Sequence, residues 1–253
     1  MKAYAILVVH NKKLIDCPSF CSAVKEPDMQ LLVVDNSTDE SIDNQEEALQ
    51  AGAWFLSMNG NKGLSKAYNA ALDRLRKEIG DWIILLDDDT RIPAEYWEAV
   101  RTEIPDSVLL PIVRTCRGEI ISPAEMKHGI PHQVESLDSI NVITGINSGM
   151  VIPKQLADSY RYDERLFLDF VDHKFLQDIH NRHVPVRLLP VYIEQTFSAD
   201  SPSVDSAIKR LKIQKKDLKV FYEKSPWKAH FLLLKRTIRL FLQLKTLKVL
   251  FYG

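Results

Sequence analysis

The chain has 253 residues, 45% hydrophobic and 26% charged, with a formal net charge of -1. That length suits one large α/β domain or a domain with an appendage, and the composition is that of an ordinary globular protein, which excludes a disordered or low-complexity class. No apolar run approaches the ~20 residues of a membrane span, and Cys17, Cys21 and Cys116 form no CxxC pair, so a reduced compartment is expected and a disulfide framework is not. The charge is unevenly spread: Lys209 to Lys248 carries thirteen Lys and Arg against two acids, Asp217 and Glu223, which leaves the rest distinctly acidic.

Tyr4 to Val9 is a first apolar run; short and without a small-residue cleavage site, it reads as a strand and not as a signal peptide. It ends in His10 and Asn11. Leu31 to Val34 is the second run, ending in Asp35, Asn36 and Ser37. A helix-compatible stretch follows from Ser41 to Gln50, with Gly52 as its stop. Trp54 to Leu56 is a short third strand leading into Asn59, Gly60, Asn61, Lys62 and Gly63. Ser65 fits the N-cap of a helix to about Ile79, with Ala67, Ala71, Leu72 and Leu75 at near-helical spacing. Trp82 to Leu86 is apolar throughout, as a strand buried on both faces must be, and stops in Asp87, Asp88 and Asp89. In an extended segment Asp87 and Asp89 share a face and Asp88 points away. A hard divalent cation bridging to phosphate oxygens would offset their repulsion; a solvated turn before Pro93 is the plainer alternative.

Strands alternating with helices predict a mostly parallel sheet with right-handed crossovers. His10 and Asn11, Asp35, Asn59 to Gly63, and Asp87 to Asp89 all fall just past the C-terminal ends of successive strands, the edge where open parallel sheets bind ligands. Asp35 suits a ribose hydroxyl or the imide N–H of a pyrimidine, or it caps a helix. Gly63 lets backbone approach a ligand closely.

The second half is less regular. Pro93 to Ile104 reads as a helix, Val108 to Val113 as a strand, Thr115 to Ile121 as a hairpin around Gly118, and residues 123–138 as a mobile loop without a period. In Asn141 to Ile152, the small residues Gly145, Ser148 and Gly149 suit either backbone against a bound sugar or a buried strand with a bulge. Asp169, Asp172 and His173 cluster where a loop enters a helix marked by Val171, Phe175, Leu176 and Ile179; on pattern alone a helix cap accounts for the carboxylates. Val184 to Val191 is a further strand. Val204 to Tyr222 is a basic helical stretch. Trp227 to Tyr252 mixes Phe231, Leu234, Ile238, Phe241 and Leu242 with Lys228, Lys235, Arg236 and Arg239, the pattern of a helix in a membrane interface. A helix packed on the main domain or a homodimer contact are the alternatives. Nucleic acid is not the expected partner, because the apolar residues are mostly aliphatic.

VVHN (Val8 to Asn11), VVDNSTD (Val33 to Asp39), NKGLSKAYN (Asn61 to Asn69) and LLDDD (Leu85 to Asp89) resemble, in order and spacing, the signatures of family 2 glycosyltransferases, over roughly the first two hundred residues. The resemblance implies a GT-A fold, a Rossmann-like, mostly parallel central sheet flanked by helices, here with a C-terminal helical extension. It divides the chain into a catalytic domain at 1–200 (nucleotide-sugar half 1–92, acceptor half 93–200) and basic helices at 201–253. It implies a nucleotide-sugar donor (dTDP- or UDP-linked), with Asp35 reading the base, Asp87 near the ribose and Asp89, with Asp87, holding Mg²⁺ or Mn²⁺ against the diphosphate. His10, Asn11, Asn61, Gly63, Asn69, Asp88, Ser148, Gly149 and Asp169 complete the substrate-binding set. FLDFVDHK (Phe167 to Lys174) resembles the FIDxVDxE stretch of rhamnosyltransferase-like members, whose second aspartate, the general base, maps to Asp172. That implies an inverting transfer, with dTDP-L-rhamnose the expected donor, to a saccharide or lipid-linked acceptor in surface polysaccharide synthesis, by an enzyme peripheral on the cytoplasmic face of the plasma membrane. The rivals are a UDP-hexosyl donor and a non-catalytic nucleotide-sugar-binding subunit.

Three positions depart from the family. His10 stands where an aromatic residue more often precedes the asparagine, and Lys174 replaces the usual acid. IEQTFSAD (Ile193 to Asp200) lacks the histidine that often helps hold the metal, leaving Gln195, Ser198 or Asp200 as substitutes, or Asp89 alone.

Overall fold

The computed structural model describes residues 1–134, 142–196 and 203–251. In chain order it contains β1 (Ala3–Val9), α1 (Pro18–Ala23), β2 (Met29–Asp35), α2 (Gln45–Gln50), β3 (Trp54–Ser57), α3 (Leu64–Leu75), β4 (Trp82–Leu86), β5 (Thr90–Arg91), α4 (Ala94–Thr102), β6 (Val108–Thr115), β7 (Ile120–Ser122), β8 (Ala124–Lys127), β9 (Ile130–Gln133), β10 (Ile143–Thr144), β11 (Met150–Pro153), α5 (Lys154–Ser159), α6 (Val171–Asn181), β12 (Val186–Gln195), α7 (Val204–Phe221) and α8 (Pro226–Leu244).

The apolar runs dictate the central sheet. Its strand order is β3-β2-β1-β4-β11-β6-β12-β5, with β7 beside β6. The first four strands are parallel, β11 runs opposite to both β4 and β6, and β12 is parallel to β6. Alternation sorts each strand's side chains between two cores. Trp82, Ile84 and Leu86 join the layer with α1 and α4, while Ile83 and Leu85 join the one with α3 and α6. All five are fully buried. Each such burial stabilises by roughly 1.5–3 kcal/mol, enough together to hold the strand's end against the repulsion of three adjacent carboxylates.

Several expected elements change. Residues 124–133 are not a loop: β8 and β9 form a hairpin that joins β10 in a small second sheet. Short length hid its period; residues 135–138 lie outside the described set. The helix expected at 41–50 begins only at Gln45, because Asp39 and Asp43 turn the chain by accepting the Ser41 and Gln45 amides. Gly63, not Ser65, occupies the N-cap of α3, and that helix stops at Leu75. The strand expected at 184–191 extends through Gln195. α1 was not anticipated. α7 and α8 pair through a third apolar cluster of Ala207, Leu211, Leu218, Leu233 and Leu240. Among the described residues, no helix is long and apolar enough to cross a membrane.

Candidate active site

The strand ends open onto a cavity of about 650 Å³. From the sheet side it is lined by His10, Asn61, Gly63 and Asp87 to Asp89; from the second half by Asn147, Asp169, Asp172, His173 and Gln195; and from α7 by Arg210 and Gln214. The structure therefore brings the aspartate triplet and the 169–173 cluster, some eighty residues apart in sequence, to one space.

The triplet is held from several directions. Ser19 of α1 donates to the Asp87 carbonyl, and Thr196 donates its amide (3.0 Å) and hydroxyl (2.8 Å) to the Asp89 carbonyl. The Ser148 hydroxyl donates to Asp87 Oδ2, and Gln195 Nε2 donates to Asp89 Oδ1 at 2.9 Å. Asp88 points elsewhere, toward Lys12, whose ammonium donates to its carbonyl at 2.8 Å and lies 3.4 Å from its carboxylate. Burial pushes the Asp87 carboxyl up to about 7, reinforced by Asp89, Asp172 and Asp88 and opposed by the Ser148 hydrogen bond. Burial also raises Asp89, against the Gln195 hydrogen bond.

Those carboxylates fit a divalent cation as partial ligands. Asp87 Oδ1 and Asp89 Oδ2 have no hydrogen-bond partner among the described residues, and the buried Oε1 of Gln195 is also unpaired. Among the described residues no three His, Cys, Asp or Glu side chains form a metal-binding group, so the remaining ligands of a cation here would be oxygens from a bound diphosphate or water. Of the three residues considered in place of the missing histidine, Gln195 touches Asp89; Ser198 and Asp200 lie outside the described residues.

Asp172 lies in the first turn of α6, not at its N-cap, which is Phe170 with no side-chain cap. Its Oδ1 accepts the His173 amide at 2.7 Å, and its other oxygen has no partner among the described residues. Burial raises its pKa, with the nearby Asp169 adding to the rise and His173 opposing it. Asp169 is forked by Arg210, with 2.6 Å between Nη2 and Oδ1 and a second, shorter bond. His173 Nδ1 shares a 2.8 Å hydrogen bond with Thr144 Oγ1.

Other expected site residues lie elsewhere. Asp35 lines a neighbouring cavity of about 480 Å³ with Ser37, Thr38, Asp39, Ser57 and Asn59. Asn11 Oδ1 accepts the amides of Thr38 and Asp39 and so shapes the rim of that second cavity. Asn69 does not line the main cavity: it donates to the Tyr162 carbonyl and Glu164, and accepts the Tyr162 amide, pinning that loop to α3. Ser148 is buried outside the cavity lining and donates to Asp87. Gly149 approaches protein and not ligand; a Cβ there would meet Ile193 at 2.8 Å and Pro111 at 3.0 Å. Gly63 is likewise crowded by Phe167, 2.7 Å from its ideal Cβ position. Asn61 lines the cavity, but its Oδ1 is engaged by Asn36 and Gly63. Asn36, Lys12, Arg210 and Gln214 are not among the site residues the sequence singles out; the adjacent cations Lys12 and Lys13 behind the end of β1 are the one available signal for Lys12.

The profile of "Glycosyl transferase family 2" matches residues 5–128, covering the strand-end residues through the aspartate triplet and stopping short of Asp172. A Shigella flexneri protein described as "dTDP-rhamnosyl transferase RfbF" is 22% identical over 201 residues, 74% of this chain and 66% of that protein. S. aureus TarS is similar in structure, with a TM-score of 0.59 at 18% identity, covering 87% of this chain and 40% of TarS. Its 1–349 fragment in complex with UDP-GlcNAc gives 0.60 at 18% identity, covering 86% of this chain and 66% of that one. The architecture is thus the GT-A type, a central sheet flanked by helices, and residues 5–128, just under half of the chain, are similar to glycosyl transferase family 2.

Proposed function

We propose that this chain is a glycosyltransferase that moves a sugar, L-rhamnose from dTDP-L-rhamnose, to a hydroxyl of a saccharide or lipid-linked acceptor by a single inverting displacement. The observation that carries this reading is the shared cavity: Asp172, with one unpaired carboxylate oxygen, stands across it from Asp87 and Asp89. In that arrangement Asp172 takes the proton from the acceptor hydroxyl as its oxygen attacks the anomeric carbon. The raised pKa of Asp172 suits it to receive that proton. Asp87 and Asp89 would hold Mg²⁺ or Mn²⁺, which supplies charge stabilisation to the departing nucleotide diphosphate. Asp35, beside the second cavity, would meet the base. The rhamnosyl donor is suggested by the relative's description, and TarS has been solved with UDP and UDP-GlcNAc. A thermal-shift screen of nucleotide sugars with Mn²⁺ tests the donor, since a native-state ligand raises apparent stability. Stabilisation by a UDP-hexose and not by dTDP-L-rhamnose would replace the rhamnosyl assignment.

The reading extends to where the enzyme works. On α8, Ala229, Leu233 and Leu240 turn inward, while Trp227, Phe231, Leu234, Ile238 and Leu242 are 47–67% exposed along one face, near Lys228, Lys235 and Arg239. Apolar groups flanked by cations match the anionic cytoplasmic surface of a membrane. Replacing Phe231, Leu234 and Leu242 together by Ser should abolish flotation with phosphatidylglycerol vesicles. Unchanged flotation, or a loss of dimer mass in sedimentation, would count against the membrane and, in the second case, for a homodimer.

A further inference from the structure

The loop from Asp163 to Phe170, which delivers Asp172 into the cavity, has few backbone bonds of its own, and one distant carboxylate meets three of its amides. Asp217 of α7, wholly buried, accepts the Phe167 amide at 2.9 Å and those of Leu168 and Asp169 at 2.8 Å each. It belongs to a helical stripe, Arg210, Gln214, Asp217 and Phe221, spaced i, i+4, i+7 and i+11, which turns one face of α7 toward this loop. Arg210 forks Asp169, Gln214 lines the cavity, and Phe221 stacks on Phe170 at 4.8 Å. Phe170 adopts the left-handed region, φ 64°, a conformation a bulky residue keeps only when its surroundings impose it. Asp172 follows two residues later.

Nothing requires a carboxylate at position 217 for packing: a leucine would fill a helix–loop contact without the cost of burying charge. Three converging N–H groups do require it, because a carboxylate accepts at both oxygens and an amide presents one oxygen and an opposing NH₂. We propose that Asp217 is a positioning residue for the transfer step: by gathering the amides of residues 167–169 it fixes the backbone from which Asp172 projects, and so makes α7 a working part of the acceptor side. This rests on Asp172 being the general base.

The test uses the full chain with Mn²⁺ and dTDP-L-rhamnose, following dTDP release with water as acceptor, together with hydrogen exchange of the peptide spanning 165–171. In Asp217→Asn, exchange at residues 167–169 should rise about tenfold or more, donor affinity should stay within about twofold, and kcat should fall roughly 10- to 100-fold, the scale of a small misplacement. Asp217→Glu should recover part of that loss. The Asp172→Asn/Asp217→Asn double variant should be no slower than Asp172→Asn alone, because a residue acting through the base has nothing left to position. Leu233→Ala, a destabilising change in the α7–α8 cluster, controls for general loosening and should leave kcat in place. Unaltered exchange in Asp217→Asn overturns the inference whatever the activity. So does a normal kcat in Asp217→Asn when Asp172→Asn is inactive, or a kcat loss matched by Leu233→Ala. Full turnover in Asp172→Asn instead overturns the assignment of Asp172, and no turnover in the wild type overturns that of dTDP-L-rhamnose as donor, with the exchange measurement still deciding whether Asp217 holds the loop.

Discussion

The two sides of the cavity are built by different means. On the proposed donor side, Asp87 to Asp89 and His10 are carried to their places by parallel strands: once β1 and β4 pair in register from Ala3↔Trp82 to Leu7↔Leu86, the residues that follow have little choice of position. On the proposed acceptor side, Asp172 is placed by a loop whose anchors are single side chains far away in sequence: Asn69 on Tyr162, Asp217 on residues 167–169, and Arg210 on Asp169. A strand end shares its load over a ladder; the loop rests on individual bonds. The donor side should therefore tolerate loss of any one supporting contact better than the acceptor side does.

The largest effect expected is Asp172→Asn, which should lower turnover by about 10²–10⁴-fold while donor affinity by calorimetry stays near wild type. Because the structure places Asp172 inside the first turn and Phe170 at the cap, a capping role cannot rescue its loss. Near-normal turnover, with a large loss in Asp169→Asn instead, would move the base to the Arg210-paired carboxylate. Next in size, Asp89→Asn should remove the strengthening of nucleotide diphosphate binding by Mn²⁺ expected if the triplet holds a cation, and Gln195→Ala, which removes the hydrogen bond that orients Asp89, should weaken it by about 10- to 100-fold. Equal metal dependence in all three proteins by calorimetry would mean that the triplet is a solvated turn.

A smaller effect separates function from stability. Asp87 ionises near 7 in the folded chain against 3.8 when free, so the native state holds its proton more tightly than the unfolded one does. Its contribution to stability is full below about pH 4 and is lost as pH rises through 7. Asp87→Asn should match wild type below about pH 4 and, without metal, exceed it at pH 8 by ~1–3 kcal/mol after allowance for cavity solvent. Urea midpoints at the two pH values read this directly, and a variant weaker at pH 8 would reverse the argument. Smallest, Asn69→Ala removes the hold on residues 162 and 164 and should cost ~1–3 kcal/mol of stability, with kcat falling more than donor affinity. A drop in donor affinity alone would place Asn69 on the donor side after all.

Legibility in the sequence followed the same division. The strand runs, the polar residues behind them and the helix bearing Asp172 follow from local periodicity, so β1, β2, β4, α6 and the aspartate triplet were readable. Asn69, Asp217 and Arg210 act across 41 to 93 residues, and no local pattern announces such bonds. The small size of Ser148 and Gly149 suits either a sugar neighbour or a bulged buried strand; in the fold one serves Asp87 and the other makes room for Tyr96, Pro111 and Ile193. The β8–β9 hairpin was hidden by strands of four residues each. Asp217 did leave a trace, as one of two acids in a segment of thirteen cations; the other, Glu223, pairs with Arg165 of the same loop at 2.9 Å.

The crowding at Gly63 bears on how such a chain can be recombined. A designer wishing to change the donor would exchange the β3–α3 segment for one from a related sequence, treating it as a module of the nucleotide half. Leu64 donates its amide to the Phe167 carbonyl, and a Cβ at Gly63 would run into the Phe167 ring, so the boundary of that module passes through the 163–170 loop. A chimera that imports a side chain at 63 would push on the segment that presents Asp172. Grafts should therefore travel as a pair, residues 57–64 with 163–170, and libraries that shuffle the two independently should be rich in well-folded, donor-binding, inactive proteins.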